Sequence, residues 1–489
     1  MALPVERKNT SFLPDFKKVI ARFFELDTMR TAELVMRIYN MSDEYVESTL
    51  NRILREFSKR HRNMTRILRR HFNKVKHVFA DLDIDIDDLS ERKQLLIGSY
   101  FTMEYSIESA AFFNPSIVED PDQNGLEEGE KRVVMSFRAT GEGHISSLVF
   151  RRGVLDKDNN LMVHEPGKLI DGAERVKKYQ YEKKSFSRKL EEMDIPKSLY
   201  CLVLDKLPAQ FSYKQVKETV QQIIDENDMN VDKQKVLQEI IWLADSHYEI
   251  IFSMDTDLSE RVIFPIAERE KNGIEDARFV KFTNEDGTFD YYATYTAYDG
   301  YTIIPKLIQT KDFYHFKVIP IQGKHAQDKN LAFFPRKING KYAMLSRIDG
   351  QNNYIMFSDK IDIWENAKML REPHYPWEYI QVGNGGSPLE TKEGWLMITH
   401  GVGPMRKYSL GACLLDLDDP SKVIGCLNEP LLTPNEKERD GYVPNVVYTC
   451  GTIIHNDHLI IPYAMADYST GLATIEVDEL LKALKNSNS

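Results

Sequence analysis

Two kinds of hydrophobic spacing divide the chain. From residue 15 to about 112, apolar residues recur at three- and four-residue intervals, which predicts helices almost without interruption. The spacing is first seen at Phe16, Val19, Ile20, Phe23 and Phe24. Ser42, followed by two acidic residues, is typical of a helix start. A second helical block is predicted from about residue 185 to 246, where the apolar run around Trp242 is strongest.

Elsewhere, short alternating runs are broken by Gly, Asn and Asp, which predicts strands. The clearest runs are 132–137, 279–282, 291–295, 342–345, 395–399 and 459–463. Turn sequences follow several of them, as at 284–287, 338–340 and 348–350, so we expect successive antiparallel hairpins. Such hairpins are typical of a β-propeller, in which each sheet packs on the next around an axis. The spacing alone also permits a β-sandwich.

The composition is that of a folded globular protein: 489 residues, 42% hydrophobic and 28% charged. A formal net charge of −11 argues against a surface built for nucleic acid. The first residues become charged before any apolar run long enough for a signal peptide, and no later run reaches membrane-spanning length. We therefore expect a cytoplasmic protein with neither nucleic acid nor membrane as partner.

Two residue types required a choice between a structural and a functional role. The stretch from Tyr45 to Phe79 is rich in arginine, which suits RNA binding but is more typical of a solvated helix face or an oligomer contact. The four cysteines lack metal-ligand spacing and are predicted to be buried thiols; they are Cys201, Cys413, Cys426 and Cys450. The scattered histidines likewise lack ligand spacing, so no metal is predicted.

The densest polar cluster is Gly273–Arg278, directly ahead of a predicted strand. Adjacent Glu275 and Asp276 with Arg278 form either a turn with a salt bridge or a catalytic group. In the second case, one carboxyl donates a proton to a leaving oxygen and the arginine fixes its position.

A second cluster runs from Asn384 to Pro404, with glycines on both sides of a strand that begins at Trp395. Glycine lets the backbone approach a ligand closely, and Glu390 and His400 flank the strand. The alternative is a tight loop whose histidine bonds a carbonyl.

The ordered set of motifs resembles glycoside hydrolase family 130, whose members are five-bladed propellers that phosphorolyse or hydrolyse β-mannosides. Glu275-Asp276-Ala277-Arg278 is similar to the family's Glu-Asp-Pro-Arg signature. The other matching segments are Asn114-Pro115, Ser136-Phe137-Arg138, 294–300, 331–337, 394–396, 400–402 and 463–467. The resemblance covers about residues 106 to 480, apart from the helical block near 185–246.

The resemblance implies roles for individual residues. Asp276 corresponds to the family's general acid, thought to act through a hydroxyl of the bound mannose, and Glu275 is its structural or ligand-binding neighbour. Arg278 is expected to orient the acid. The residues expected to bind the sugar are Asn114, Arg138, Tyr298, Asp299 and Asp467.

Whether water or phosphate attacks depends on the cations that the chain keeps. Arg347 matches a phosphate-binding arginine, and Lys329-Asn330 stands where the family often has Arg-Asn. His400 and Arg406 add to a positive surface. At Glu390, however, a lysine is expected in phosphorylases; a carboxylate there repels phosphate and could activate water instead.

The sequence thus predicts a mainly β protein. A helical segment over 1–105, interpreted as an oligomerisation arm, precedes a five-bladed propeller over 106–489 with a helical insertion at about 185–246. The favoured function is inverting hydrolysis of short β-mannosides, with Asp276 as acid and Glu390 as base. The alternatives are a phosphorylase that releases mannose 1-phosphate and a non-catalytic carbohydrate-binding propeller. No cofactor is expected, except inorganic phosphate as co-substrate of a phosphorylase, and the chain is expected to form a homo-oligomer.

Overall fold

The computed structural model describes residues 3–487 except 174, 179, 194, 227–228, 267–269, 271 and 299–302. Side chains are not described at 175–178, 192, 298 and 303. The α-helices in these residues are α1 (Thr28–Tyr39), α2 (Asp43–Phe57), α3 (Met64–Val75), α4 (Val78–Asp81), α5 (Glu91–Tyr100), α6 (Lys183–Glu192), α7 (Lys197–Leu204), α8 (Tyr213–Glu226), α9 (Val231–Ser246) and α10 (Val477–Asn486).

The protein is mainly β, and its strands are short. In chain order they are β1 (Glu6–Phe12), β2 (Val19–Phe23), β3 (Thr102–Ser106), β4 (Ala111–Glu119), β5 (Lys131–Thr140), β6 (Ser146–Leu155), β7 (Leu161–Val163), β8 (Arg175–Lys178), β9 (Gln180–Glu182), β10 (Gln210–Ser212), β11 (Tyr248–Ile251), β12 (Val262–Ile263), β13 (Gly273–Thr283), β14 (Phe289–Tyr298), β15 (Ile303–Thr310), β16 (His315–Pro320), β17 (Ala332–Phe333), β18 (Tyr342–Ser346), β19 (Asn353–Ser358), β20 (Ala367–Arg371), β21 (Gln381–Asn384), β22 (Leu389–Thr391), β23 (Gly394–Val402), β24 (Tyr408–Leu415), β25 (Val423–Cys426), β26 (Val447–Tyr448), β27 (Ile453–His455), β28 (His458–Met465) and β29 (Ser469–Glu476). All six clear strand predictions are confirmed.

Antiparallel meanders make up most of the β structure. The largest sheet has the order β4-β5-β6-β13-β14-β15-β16-β11-β8, with β7 and β12 added on β6. Its two meanders, β4-β5-β6 and β13-β14-β15-β16, meet through the parallel pair Gly273 with Ser146. Three further sheets follow along the chain: β17-β18-β19-β20, β21-β23-β24-β25 with β22, and β1-β29-β28-β26 with β27. Two-stranded pairs β2-β3 and β9-β10 complete the set.

The N-terminal segment is not purely helical, which corrects the prediction for its first residues. Strand β1 pairs antiparallel with β29, so the start of the chain extends the last sheet. Val19–Phe23, predicted as helix, is strand β2 and pairs with β3. Five apolar residues at this spacing fit a short strand as well as a helix, and pairing with β3 decides between them. The end of the predicted helical stretch is also strand, because β3 covers Thr102–Ser106 and β4 begins at Ala111. The helices between β2 and β3 are confirmed, and Ser42 caps α2 by accepting a bond from the Tyr45 amide.

The second helical block is inserted in the chain between two strands of the largest sheet. Helices α6 to α9 fall between β8 and β11, two strands that pair with each other at the sheet edge. The helices bury their own apolar cluster, which includes Phe186, Val216 and Ile240. The predicted helix content of 185–246 is therefore confirmed.

Two of the four cysteines differ from their predicted state. Cys413 and Cys426 face each other across β24 and β25 and form a disulfide, so the expectation of four thiols is wrong for this pair. Cys201 and Cys450 are free. Among the described residues, none of the helices combines the length and apolar character needed to cross a membrane.

Candidate active site

One cavity of about 310 Å³ gathers side chains from every meander of the β structure. Most of them lie at strand ends or in the loops between strands. The lining residues are Asn114, Arg138, Asp276, Asp328, Lys329, Asn330, Arg347, Gln381, His400, Arg406, Tyr408, Val443, Val446, Tyr448 and Asp467. Nine of these were predicted as site residues from the sequence: Asn114, Arg138, Asp276, Lys329, Asn330, Arg347, His400, Arg406 and Asp467.

The backbone around the cavity takes a conformation that is rare for residues with a side chain. Asn114, Asp276 and Asp467 have φ of 50°, 53° and 50°. Asp328 and Asn330, at 61° and 67°, do the same in the loop before β17. Asn and Asp tolerate the left-handed region better than other residues because their short side chains bond locally. Positive φ concentrated in one cavity is typical of a functional site.

Strand irregularities aim the first two of these residues at the cavity. The pairing of β4 with β5 shifts register between Phe113 and Ser116, at Asn114. The pairing of β13 with β14 shifts between Glu275 and Arg278, at Asp276. Such bulges redirect a side chain and are frequent beside active sites. As a result, Asn114 Nδ2 donates to Asp276 Oδ1 at 2.6 Å.

Asp276 lies among cations. Its Oδ1 is 3.8 Å from Arg138 Nη1, and its side chain is 12% exposed. Burial raises the pKa of Asp276, but Arg138, Arg278 and Lys329 outweigh burial and hold the pKa below its usual range. The Asp276 carboxylate is therefore ionised at neutral pH.

Asp467, at the turn between β28 and β29, behaves in the opposite way. Burial raises its pKa to about 6; nearby Arg138 lowers the value and the negative charge of Asp276 raises it. Two carboxyls of one cavity thus have pKa values pushed apart, an arrangement that separates the roles of paired acids in enzymes.

Glu275 holds the cations in place behind the cavity. It accepts from Arg138 Nη2 and from Lys329 Nζ, each at 2.7 Å. Arg138 Nε also donates to Ser146 Oγ at 2.8 Å. Glu275 does not line the cavity, so its geometry supports the structural role rather than direct contact with a ligand.

Arg278 lies beneath Asp276, 2% exposed. It donates to the Tyr448 hydroxyl at 2.6 Å and to the Asn384 carbonyl at 3.3 Å. Tyr448 in turn lies 3.5 Å from Asp276 Oδ2. Tyr448 thus connects Arg278 with the carboxyl of Asp276; the orienting role of Arg278 stays a prediction.

Three further basic side chains, Arg347, His400 and Arg406, line the same cavity. Arg347 is 8% exposed, with its Nε 3.8 Å from Asp328 Oδ2. His400 is 1% exposed, and burial together with Arg347 and Arg278 holds its pKa well below the usual range, so the ring is neutral. Arg406 stands at the exposed rim with φ of 54°.

Several buried polar atoms of this cavity have no hydrogen-bond partner among the described residues. They are Asn114 Oδ1, Asn330 Oδ1, Arg347 Nε and His400 Nδ1. Because buried polar atoms in proteins are normally bonded, their convergence on one cavity marks it as a place for a polar ligand.

Glu390 lies elsewhere, which corrects its predicted position. On β22 it pairs with Arg336 through two bonds of 2.8 Å, and its side chain is 41% exposed. Arg336 lies over the ring of Trp395, the residue opposite Glu390 on β23. The side chain therefore points to the outer surface of this hairpin. Asp299 lies outside the described residues, as does the side chain of Tyr298.

Four polar or aromatic residues of the cavity were missed from the sequence: Asp328, Gln381, Tyr408 and Tyr448. Asp328 directly precedes Lys329-Asn330, and this adjacency was a usable signal. The others lie on strands where their spacing is that of ordinary structural residues. Among the described residues, no group of three or more His, Cys, Asp or Glu side chains is placed to hold a metal ion.

Comparison with known proteins agrees with these motifs. The family model for glycoside hydrolase family 130, described as beta-1,4-mannooligosaccharide phosphorylase, matches residues 228–486. A 1,2-beta-oligomannan phosphorylase of Thermoanaerobacter sp. (strain X514) is 37% identical over 230 residues, which cover 46% of this chain and 75% of the relative. A beta-1,2-mannobiose phosphorylase of the same organism is 34% identical, covering 43% and 70%.

Among solved structures, beta-1,2-mannobiose phosphorylase from Listeria innocua in complex with beta-1,2-mannobiose aligns with a TM-score of 0.46 and 23% identity. That alignment covers 77% of this chain and 92% of the other. Because the family model matches more than half of the sequence, the chain belongs to glycoside hydrolase family 130 and is an enzyme that acts on glycosides.

Proposed function

We propose that the protein is an inverting β-mannoside phosphorylase, which transfers a mannosyl unit from a short β-mannoside to inorganic phosphate. A phosphate oxygen forms a bond to the anomeric carbon, the glycosidic bond breaks, and the leaving oxygen takes a proton; mannose 1-phosphate is the product. The observation that carries this proposal is one cavity lined by the carboxyls of Asp276 and Asp467 and by the basic residues Arg347, His400 and Arg406. The relatives named above, all called phosphorylases, support the same choice.

Asp276 is the general acid in this proposal. Its low pKa is set by cations, so a bound phosphate dianion, which offsets those cations, raises the pKa toward the value an acid needs. Bound phosphate thus raises the pKa of Asp276 before the proton is donated. As the family resemblance implies, the proton reaches the leaving oxygen through a hydroxyl of the mannosyl unit.

The sugar lies against Asn114, Arg138 and Asp467. Asn114 Oδ1 is a buried acceptor without a protein partner, and Arg138 is held by Glu275 in a fixed orientation. A hydroxyl-rich ring requires both donors and acceptors, and this side of the cavity offers both.

Phosphate lies against Arg347 and Arg406, with Lys329, Asn330 and His400 nearby. Asp328 reduces the positive charge but lies 3.8 Å from Arg347 Nε and so holds that guanidinium in position. Glu390 no longer opposes phosphate, because Arg336 neutralises it outside the cavity. The structural argument for hydrolysis, a base at residue 390, therefore loses its support.

The proposed architecture is a ring of five blades around this cavity. The blades are the two meanders of the largest sheet and the three later sheets, with β1 closing the last blade through β29. The division into an N-terminal segment of 1–105, a catalytic unit of 106–489 and an insertion near 185–246 is part of the proposal. Leu13, Phe16 and Met29, each more than 60% exposed, are the contact expected in a homo-oligomer.

The experiment is to incubate the purified chain with β-1,2- and β-1,4-mannobiose, with and without phosphate. Mannose 1-phosphate formed only with phosphate is the expected product. Free mannose at the same rate without phosphate would overturn the proposal in favour of hydrolysis, and the absence of any product with either sugar would favour a binding protein.

Glu390→Gln provides the matched control. As a catalytic base, Glu390 is indispensable to an inverting hydrolase, whereas a surface partner of Arg336 is not needed for phosphorolysis. We expect the rate of Glu390→Gln to stay within about twofold of the wild type, because an exposed ion pair contributes only about 0–1 kcal/mol.

A further inference from the structure

A second cavity, of about 540 Å³, lies between helix α3 and the β structure. One wall is α3 with the residues just before it, and the other is strand β2 with loop residues 170–173 and 264–266. It shares no lining residue with the catalytic cavity. The arginine-rich stretch noted in the sequence is therefore, in part, the wall of a cavity.

The cations of α3 are aligned along one side of the helix. Arg66, Arg70 and Lys74 are spaced by four residues and all line the cavity. Like charges at this spacing destabilise a helix by about 0.2–0.5 kcal/mol per pair. Arg22 from β2 and Arg62 from the turn before α3 face the same space. Glu25 and Asp171 are its acidic lining residues.

Protein partners neutralise these cations unequally. Arg62 bonds Asp255 and Glu260 at 3.0 and 2.6 Å. Arg22 instead lies over the rings of Tyr105 and Phe264, and Lys74 over the ring of Phe23. Within the described residues, Arg22, Arg70 and Lys74 have no acidic group at ion-pair distance.

The crowding of positive charge is visible in the neighbouring groups. Arg70 and Lys74 keep exposed surface, yet desolvation and Arg66 lower the pKa of Arg70 against the attraction of Asp171, and desolvation and Arg70 lower the pKa of Lys74 against that of Glu25. Burial, together with Arg70 and Lys74, lowers the pKa of His71 to about 4. In addition, Arg62 Nε is buried without a hydrogen-bond partner. An anion in the cavity would offset the repulsion between these cations and could accept from Arg62 Nε.

We propose that this cavity is a second binding site, for a small molecule that carries a phosphate group, held by Arg70, Lys74 and Arg22. A phosphate dianion accepts several charge-assisted bonds at once, and the guanidinium groups present matching pairs of donors. The walls on both sides suit a small molecule better than a polymer, and the net charge of −11 opposes a nucleic acid. The proposal does not depend on phosphorolysis in the other cavity.

The test is to count bound anions on the full chain by equilibrium dialysis with labelled inorganic phosphate. Arg70→Gln with Lys74→Gln should bind one phosphate fewer per chain than the wild type, or bind it about 10- to 100-fold more weakly. The control, Arg69→Gln with Lys76→Gln, removes equal charge from the same helix outside the cavity and should bind as the wild type does. Arg347→Gln, in the catalytic cavity, should keep this phosphate and lose the other.

The outcomes separate the two sites and the two sources of phosphate. If phosphorolysis fails as a function, the Arg347→Gln variant binds as much phosphate as the wild type, and the Arg70 and Lys74 variant still loses its phosphate. In the Arg347→Gln variant, mannose 1-phosphate displacing the label at tenfold lower concentration than phosphate indicates a sugar phosphate; equal displacement indicates free phosphate. Undiminished binding by the Arg70 and Lys74 variant overturns the proposal, and equal melting temperatures would show that all variants are folded.

Discussion

Arginine and lysine side chains line both cavities, but their charges are balanced differently. In the catalytic cavity, Arg138 and Lys329 bond Glu275, and Arg347 lies beside Asp328. In the cavity beside α3, Arg70 and Lys74 lie near each other; among the described residues Asp171 and Glu25 are close enough to attract them but form no ion pair with them. Carboxylates thus position the cations of the first cavity, whereas in the second cavity Arg22 and Lys74 lie over aromatic rings instead.

The difference indicates what each cavity requires. Chemistry requires fixed positions, because a misplaced acid or phosphate loses the alignment on which rate depends. Simple capture of an anion requires only excess positive charge, which a ligand can neutralise. We therefore expect paired cations in a cavity that carries out a reaction and unpaired cations in a cavity that only binds an anion.

The largest effect is expected from Asp276→Asn. Asparagine keeps the shape but has no proton to donate, so kcat should fall by about 10²- to 10⁴-fold, while KM for the mannoside changes far less. The measurement is initial-rate kinetics with saturating phosphate. Asp286→Asn, in the turn at the far end of the same hairpin, is the control and should retain wild-type rates. An Asp276→Asn enzyme with more than half the wild-type kcat would refute the assignment of the acid.

Asp467→Asn should make the protein more stable at neutral pH. Burial raises the pKa of Asp467 to about 6, above the value of about 4 in the unfolded chain, so ionising it costs stability. The contribution of Asp467 to the free energy of unfolding of the wild type is fully present below pH 4 and is lost as the pH rises through 6. The variant should therefore gain on the order of 2–3 kcal/mol at pH 7.5 and nothing at pH 4.

Urea unfolding of both proteins at the two pH values measures this gain. An equal difference at pH 4 and pH 7.5 would show that the carboxyl does not titrate between them. Asp467→Asn should also bind mannoside less tightly. The carboxylate of Asp467 only accepts hydrogen bonds from the sugar, whereas the amide of asparagine both donates and accepts.

Arg347→Gln should weaken phosphate selectively. A charged hydrogen bond contributes about 1.5–3 kcal/mol, so KM for phosphate should rise by about 10- to 100-fold with little change in KM for the mannoside. Arg336→Gln, which removes an arginine outside the cavity, should leave both constants unchanged. A rise in both KM values for Arg347→Gln would mean that the cavity has lost its shape rather than its phosphate contact.

Much of the catalytic cavity could be predicted because its residues lie within ordered motifs. Asn114, Arg138, Asp276 and Asp467 are far apart in sequence, yet each falls in a short segment similar to the family's own. Glu390 was misplaced because a hairpin strand exposes alternate residues on opposite faces, so a shift of one residue reverses the direction of a side chain. Tyr448 was missed because its place beneath Asp276 results from long-range packing that no local pattern records.

The helical part shows a different limit. The spacing of Phe16 to Phe24 fitted a helix, but only pairing with β3, some eighty residues later, makes Val19–Phe23 a strand. The basic stretch was predicted to be a solvated face or an oligomer contact, and most of its arginines are indeed exposed. Helical spacing does place Arg66, Arg70 and Lys74 on one side, but the sequence does not show that β2 lies opposite and closes a cavity there.

The smallest effect separates neighbouring arginines on α3. Arg69 forms an ion pair with Glu91, whereas Arg70 faces Arg66 and Lys74 across one helical turn on each side. Arg70→Gln should therefore stabilise the protein in phosphate-free, low-salt buffer by about 0.2–0.5 kcal/mol, and Arg69→Gln should destabilise it by a similar amount. Paired denaturation curves at low and high salt measure both changes, and salt should reduce each because it screens surface charge. If both substitutions destabilise the protein equally, Arg66 and Lys74 do not repel Arg70. The proposed difference in charge balance between the two cavities would then be wrong.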